Sequence, residues 1–148
     1  MTIWRPAASI RVKVIGLVWR EDALLAAEVM SDAGRVRGFR PLGGAIEFGE
    51  TREAALSREF QEELGCGVVL LGAWMTVENI FQHEGMTGHE FIFAAAARLE
   101  NEALYQQDEI CFTESDGSPS IARWIVPGRL PQGMEIYPTG IGSVAAVS

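Results

Sequence analysis

Three glutamates, Glu59, Glu62 and Glu63, lie close together near the middle of the chain. If residues 51–64 form a helix, a rotation of about 100° per residue places the three carboxylates within an arc of about 100°. The apolar stripe of the same helix borders that arc and consists of Leu56, Phe60 and Leu64. Carboxylates crowded beside a core repel one another and have raised pKa values unless a cation is bound. Oxygen ligands of this kind suit Mg²⁺ or Mn²⁺, so the spacing predicts a site for a hard divalent cation.

The residues around these glutamates include groups that could complete such a site. The adjacent glycines Gly43 and Gly44 allow the backbone to approach a ligand closely, and the carbonyl of Gly44 could add an oxygen ligand. Arg58 can pair with Glu62 one helical turn away, or reach back to Glu50 in the preceding loop. A short glutamate-rich stretch is, taken alone, most often a solvated helix face. The residues on both sides of the glutamates therefore decide whether this stretch is a cation site or a solvated helix face.

The helix that must position these groups has clear end signals. Residues 51–64 contain neither Gly nor Pro, Thr51 is a suitable N-cap, and Gly65 fits the position where a left-handed residue ends a helix. Alternating or continuous apolar segments predict strands at residues 10–19, 23–30, 66–76, 79–82, 90–99, 110–113 and 121–126. Residues 39–48 predict one or two short extended pieces, and residues 31–38 and 100–109 predict polar loops. Several strands around one early helix indicate a mixed α/β domain.

Composition limits the classes of protein that the chain can belong to. Its 148 residues fit one domain over residues 1–148. Twenty acidic against 12 basic residues give a net charge of −8, which argues against binding a nucleic acid polymer through its phosphates. A small phosphorylated ligand stays compatible, because a bound cation reverses the local charge. The cysteines, Cys66 and Cys111, form no metal-binding pattern. Without a signal peptide or a long apolar stretch, we expect a soluble, cytoplasmic protein that does not bind membranes.

Residues 44–66 read GAIEFGETREAALSREFQEELGC, which we call the acidic motif. It resembles the signature of the Nudix hydrolase family, G-x5-E-x7-R-E-U-x-E-E-x-G-U, in which U is a bulky aliphatic residue. The seven fixed positions are occupied by Gly44, Glu50, Arg58, Glu59, Glu62, Glu63 and Gly65. The two U positions hold Phe60 and Cys66, an aromatic and a small residue where the pattern prefers an aliphatic one. The resemblance extends more loosely to the preceding FRPLGG.

The resemblance implies a fold and an activity. Nudix hydrolases fold as an α/β/α sandwich around a mixed sheet and carry a catalytic loop–helix–loop. The implied reaction is hydrolysis of the diphosphate linkage in a nucleoside diphosphate derivative, with Mg²⁺, or Mn²⁺ in its place. The residues that would hold the metal are Gly44, through its carbonyl, and Glu59, Glu62 and Glu63. Glu59, Glu62 and Arg58 would be catalytic, and Glu50 and Gly65 would support the motif structurally.

Several assignments stay open from the sequence. The group that takes the proton from water is either a glutamate of the acidic motif or a more distant acid, of which the candidates are Glu84, Glu90, Glu109 and Glu114. Arg37 and Arg40 are expected to contact substrate phosphates, and His83 and His89 could border the site. Aromatic residues that could stack on a nucleobase are Phe39, Phe81, Trp74 and Trp124. The expected partner is a small nucleotide or nucleotide sugar, and a homodimer is possible, with the apolar residues 141–147 as one candidate contact.

Two other functions are known for proteins with this motif or fold, and the sequence favours hydrolysis over both. A domain of this family that senses a nucleotide without cutting it is expected to lack one or more of the motif glutamates, and all of them are present here. Isomerase chemistry on an isoprenoid diphosphate would need a catalytic cysteine, and neither Cys66 nor Cys111 lies in a suitable context. The intact set of acids therefore favours the hydrolase. It leaves the identity of the substrate open.

Overall fold

The computed structural model of the chain describes residues 3–141. Ten strands and one α-helix follow one another in the order β1 (Ile10–Arg20), β2 (Ala23–Met30), β3 (Val36–Pro41), β4 (Gly43–Ala45), α1 (Arg52–Leu64), β5 (Val68–Leu70), β6 (Met75–His83), β7 (Met86–Leu99), β8 (Glu109–Thr113), β9 (Pro119–Ile125) and β10 (Glu135–Ile136). Short 3-10 helices cover Glu102–Gln106 and Pro127–Arg129. In this part of the chain no helix is long and apolar enough to cross a membrane.

The ten strands form one curled, mixed sheet. Its continuous path runs β10-β3-β2-β1-β7-β5, and β4 pairs with β1, β6 with β7, and β9 with both β2 and β8. The pairs β1–β7 and β10–β3 are parallel and the others antiparallel. Residues 10–18 of β1 pair with β7, whereas only Trp19 and Arg20 pair with β2. Since β1 changes partner along its length, the sheet folds over on itself.

Strand β1 contributes to two hydrophobic cores because successive side chains point to opposite faces. Val14 and Val18 belong to the core that α1 covers, together with Leu56 and Phe60 of the helix. Ile15 and Leu17 belong to the second core, with partners from several strands that include Leu24, Phe39 and Ile92. This arrangement fixes α1 against the sheet at the place where β4 leads into the acidic motif.

The caps of α1 are those that the sequence predicts. The hydroxyl of Thr51 accepts a hydrogen bond from the Ala54 N–H at 3.1 Å. Gly65 has a φ of 66° and donates its N–H to the Gln61 carbonyl. The buried face consists of Ala55, Leu56, Glu59 and Phe60. Leu64 is only partly buried, and Glu59 itself is part of the buried face, so a carboxylate lies against the core.

The predicted mixed α/β fold is confirmed, and several local boundaries differ. Strand β3 begins at Val36, inside the predicted loop 31–38, and β7 begins at Met86, four residues before the predicted strand. Residues 66–76 do not form one strand, because residues 71–74 separate β5 from β6. The predicted strand at residues 79–82 is the second half of β6. The predicted loop at residues 100–109 contains a 3-10 helix whose N-cap is Asn101. Residues 142–147 of the apolar tail, which were one candidate for a contact with a partner, lie outside the described residues.

Candidate active site

Arg58 connects the helix to the loop that precedes it. Its Nε donates to Glu50 Oε2 at 2.7 Å, and its Nη2 donates to Glu50 Oε1 at 3.0 Å and to the Ala45 carbonyl at 3.0 Å. The backbone N–H of Glu47 also donates to Glu50 Oε1, at 3.0 Å. The two-bond contact between a guanidinium and a carboxylate fixes both distance and orientation. Arg58 and Glu50 thereby hold the loop of the acidic motif on α1.

The negative charge of Glu50 is compensated by Arg58 within the protein. The hydrogen bonds from Arg58, assisted by the Glu47 N–H, lower the pKa of the Glu50 carboxyl to about 2. The same contacts raise the pKa of Arg58 well above its usual value. Both oxygens of Glu50 accept hydrogen bonds, which supports the expected structural role of this residue.

The three helix glutamates differ in environment. Glu59 is buried, with 7% of its surface exposed, and its Oε1 accepts from Arg58 Nη1 at 2.9 Å. Glu62 is exposed and lies 3.4 Å from the same nitrogen. Glu63 is half-buried, and among the described residues its buried Oε1 has no hydrogen-bond partner. An unpaired buried carboxylate oxygen carries a large desolvation cost unless something binds it.

Burial is the main cause of the perturbed pKa values in this cluster. It raises the pKa of the Glu59 carboxyl, although Arg58 acts in the opposite direction. Burial also raises the pKa of Glu63, to about 8; Arg40 partly offsets this effect, and repulsion from Glu59, Glu114 and Glu62 adds to it. A cluster of carboxylates with raised pKa values is typical of sites that bind a cation.

Gly44 lies against the carboxylate of Glu59. A methyl group on its Cα would lie 2.4 Å from both the Cδ and the Oε1 of Glu59, which is far inside van der Waals contact. The backbone at residue 44 and the buried carboxylate therefore approach each other as only a glycine permits. The carbonyl of Gly44, the oxygens of Glu59 and Glu62, and the unpaired oxygen of Glu63 are all hard ligands. This donor set fits a divalent cation such as Mg²⁺ or Mn²⁺.

The two arginines predicted to contact phosphate lie in different places. Arg40 forms an ion pair with Glu114 and is close enough to Glu63 to affect its pKa. Arg37 lies three residues earlier on β3, where the register between β3 and β2 shifts, and it has a different partner. Its Nη1 donates to His83 Nδ1 at 2.8 Å. The structure therefore brings Arg40, and not Arg37, to the acidic motif.

Of the four acids considered outside the motif, Glu114 lies beside it. The others have partners elsewhere: Glu90 pairs with Lys13 at 2.5 Å, Glu109 pairs with Arg123, and Glu84 is exposed near His83. His89 contacts Glu78 at 3.0 Å. The candidate aromatic residues also have structural contacts: Trp74 Nε1 donates to Glu53, Trp124 Nε1 donates to the Gln107 carbonyl, Phe81 stacks with Trp4, and Phe39 is buried.

A second group of potential ligands consists of Asp32, His83 and Glu84, whose ligand atoms lie within 4.8 Å of one another. Arg5 already makes two hydrogen bonds to Asp32, at 2.6 and 3.1 Å. Since Arg37 can only donate, His83 Nδ1 is an acceptor that this arginine occupies. Two cations therefore take up the ligand atoms that a metal would need, and this group resembles an ion-pair network more than a metal site.

The pKa of Glu63 predicts how stability depends on pH in the presence of a chelator. The folded-state pKa, about 8, lies above the ordinary glutamate value of 4.5, so between these values the unfolded chain ionises first. This residue therefore lowers the free energy of unfolding progressively as the pH rises from about 5 to about 8. We expect the difference in melting temperature between the wild type and Glu63→Gln to shift in favour of the variant across that range. A difference that does not change with pH would contradict the assignment.

Replacing Gly44 by Ala tests the close approach to Glu59. The new methyl group must displace the Glu59 carboxylate, which is the flexible end of a side chain, so we expect a nearly unchanged melting temperature. Binding of Mn²⁺, measured by calorimetry, should weaken about tenfold or more because a ligand has moved. Gly72→Ala is the matched control, since nothing lies within 4 Å of the added methyl group. Equal Mn²⁺ affinity in both variants would show that Gly44 does not shape the site.

Comparison with known proteins identifies the family to which this site belongs. The model of the NUDIX domain matches residues 9–132. A MutT NUDIX hydrolase from Burkholderia pseudomallei has a TM-score of 0.52 at 21% identity, over 84% of this chain and 88% of that one. A UDP-X diphosphatase also has a TM-score of 0.52, at 16% identity, over 93% and 59% of the two chains.

The E. coli ORF135 protein has a TM-score of 0.44 at 22% identity, over 62% of this chain and 61% of that one. The chain thus spans about three fifths of the length of two of these structures. A search of curated proteins gives no match. The domain match covers most of the sequence, and it includes both the acidic motif and the strands that hold it. The chain therefore belongs to the Nudix hydrolase family, as the spacing of its acidic motif predicted.

Proposed function

We propose that this protein is a metal-dependent pyrophosphatase that hydrolyses the diphosphate linkage of a nucleoside diphosphate derivative. The observation that carries the proposal is the unpaired, buried Oε1 of Glu63, which interacts with the charges of Glu59 and Glu62, together with the close approach of Gly44 to Glu59. A chain that only needed a stable fold would gain from an apolar residue at this position, because burial disfavours the charged form of Glu63 and no described donor compensates its buried oxygen. A bound divalent cation removes that cost.

The residues that would hold the cation are Glu59, Glu62, Glu63 and the carbonyl of Gly44. When bound, Mg²⁺, or Mn²⁺ in its place, neutralises diphosphate oxygens and makes a bound water more acidic. The role of Arg58 is to orient ligands: it holds Glu59 directly and holds the loop through Glu50. Because Arg58 already donates to several acceptors, it acts on the substrate through Glu59 and Glu62.

Arg40 is the phosphate contact in this proposal. Its side chain is 38% exposed, pairs with Glu114, acts electrostatically on Glu63, and can offer a planar pair of N–H donors to a phosphate. Arg37 has no part in the proposed site, because its guanidinium binds His83 instead. The partner is a small nucleotide or nucleotide sugar, and the cytoplasm is the compartment that fits such a substrate. A homodimer stays a prediction.

The test is a product screen over a panel of nucleoside diphosphate derivatives, each with Mg²⁺, with Mn²⁺ and with a chelator. We expect cleavage of at least one compound with either metal and no cleavage with the chelator. Products identified by mass spectrometry would name the substrate class. Thermal stabilisation by a compound that is never cleaved would instead indicate the nucleotide sensor. No cleavage and no stabilisation by any compound would contradict both functions.

A further inference from the structure

The cation whose charge acts on Glu63 is bound to a different acid, and the buried Oε1 of Glu63 is left without a donor among the described residues. Arg40 is close enough to Glu63 to lower the pKa of its carboxyl. Its guanidinium, however, pairs with Glu114, and among the described residues no donor reaches Glu63 Oε1. Arginine pairs readily with any accessible carboxylate. Arg40 could therefore pair with either Glu63 or Glu114, and in the structure it pairs with Glu114.

Glu114 lies in a hydrogen-bonded turn, which fixes its backbone and allows its side chain to hold Arg40 in place. It begins the tight turn between β8 and β9, in which its N–H donates to the Ser118 carbonyl at 2.8 Å and its carbonyl accepts from the Gly117 N–H at 2.9 Å. Strand β9 pairs with β2, and β2 pairs with β3, which carries Arg40. Strand β2 thus lies between the strand that carries Arg40 and the hairpin that carries Glu114, all in one sheet. The side chain of Glu114 is only 29% exposed.

We propose that Glu114 is a positioning residue that holds Arg40 away from Glu63 and so keeps Glu63 free to bind a divalent cation. This inference rests on the proposed function, since it concerns the same metal site. A guanidinium on Glu63 would occupy the oxygens that the cation needs and would compete with it directly. With Arg40 held by Glu114, the guanidinium stays near the position of the substrate phosphates while Glu63 stays open.

The test measures Mn²⁺ binding without substrate, by calorimetry and by electron paramagnetic resonance of free Mn²⁺. Glu114→Gln is expected to weaken Mn²⁺ binding about tenfold, because the released Arg40 turns to Glu63. The double variant Arg40→Gln/Glu114→Gln should restore affinity to the wild-type level. Glu109→Gln is the matched control, since it removes a carboxylate from an arginine pair on the same hairpin, away from the site, and it should bind as the wild type does.

A crystal structure of metal-free Glu114→Gln separates positioning from charge alone. We expect the Arg40 guanidinium within hydrogen-bond distance of a Glu63 oxygen. If Arg40 keeps its place while affinity falls, the effect is one of net charge and the inference is wrong. Unchanged Mn²⁺ affinity in Glu114→Gln, or an equally weak double variant, would also overturn it. Absence of Mn²⁺ binding by the wild type would instead contradict the proposed metal dependence itself, and the inference with it.

Discussion

Glu62→Gln is expected to abolish turnover, with a loss of about a hundredfold or more, while the protein folds normally. The amide keeps the size of the side chain and removes the charge, so it is a poor ligand for a hard cation. Glu62 is exposed, and its one described contact is with Arg58 at 3.4 Å, so the free energy of unfolding should change by less than about 0.5 kcal/mol. The measurements are turnover with saturating Mg²⁺ and a melting curve.

Glu47→Gln provides the control for this prediction. Glu47 also belongs to the acidic motif and lies 3.9 Å from Arg58, but its side chain is 70% exposed and stands outside the three-glutamate cluster. We expect this variant to retain nearly full activity. Full activity in Glu62→Gln would remove this residue from the metal site. An equal loss in both variants would show that the general charge of the segment matters more than the individual ligand.

Phe60→Ala is expected to destabilise the protein by about 3–5 kcal/mol. The side chain is fully buried in the core between α1 and the sheet, with Leu56, Val14 and Leu99 in the same cluster. Its ring also fills the space above Gly16, where an added methyl group would lie 2.9 Å from the ring Cζ. Leu56 is the neighbouring side chain at that point, so the extent to which it relaxes into the cavity sets where in this range the value falls. Denaturation in urea gives the free energy of unfolding.

Gln61→Ala is the control on the same helix, because Gln61 is exposed and one residue away. It should change the free energy of unfolding by less than about 0.5 kcal/mol. A wild-type-like stability of Phe60→Ala would mean that the helix is rotated relative to the arrangement described above. Comparable destabilisation by both variants would point to loss of the whole helix, which circular dichroism would reveal.

Phe60 also illustrates how tertiary structure explains an unusual residue. The family pattern prefers an aliphatic residue here, and the sequence offers no reason for an aromatic one. Gly16, 44 positions earlier on β1, leaves the room that the ring occupies. The large side chain of Phe60 on the helix is matched by the missing side chain of Gly16 on the sheet, so the volume at the interface is filled. Such a pair cannot be recognised from one sequence, because nothing local connects them.

The local features of the site could be predicted because they depend on short spacings. The period of a helix places Glu59, Glu62 and Glu63 on neighbouring positions, and caps at Thr51 and Gly65 are chosen by backbone geometry. The link between Arg58 and Glu50 spans eight residues, and it was expected from their charges. The family and the mixed α/β fold followed from the same motif and from the strand patterns around it.

The contacts made across the sheet were decided by tertiary structure alone. Arg37 and Arg40 look equivalent in the sequence, but in the folded chain Arg37 contacts His83 and Arg40 contacts Glu114. In the sequence, Glu114 is one of four equivalent candidates for an acid outside the motif. In the structure, the pairing of β2 with β9 places it beside Arg40, which is 74 residues away in the chain. The register of long-range strand pairs depends on the packing of the whole core, which one segment of sequence does not encode. The sequence by itself therefore determined the reaction class and the candidate metal ligands, and the fold decided which charges surround them.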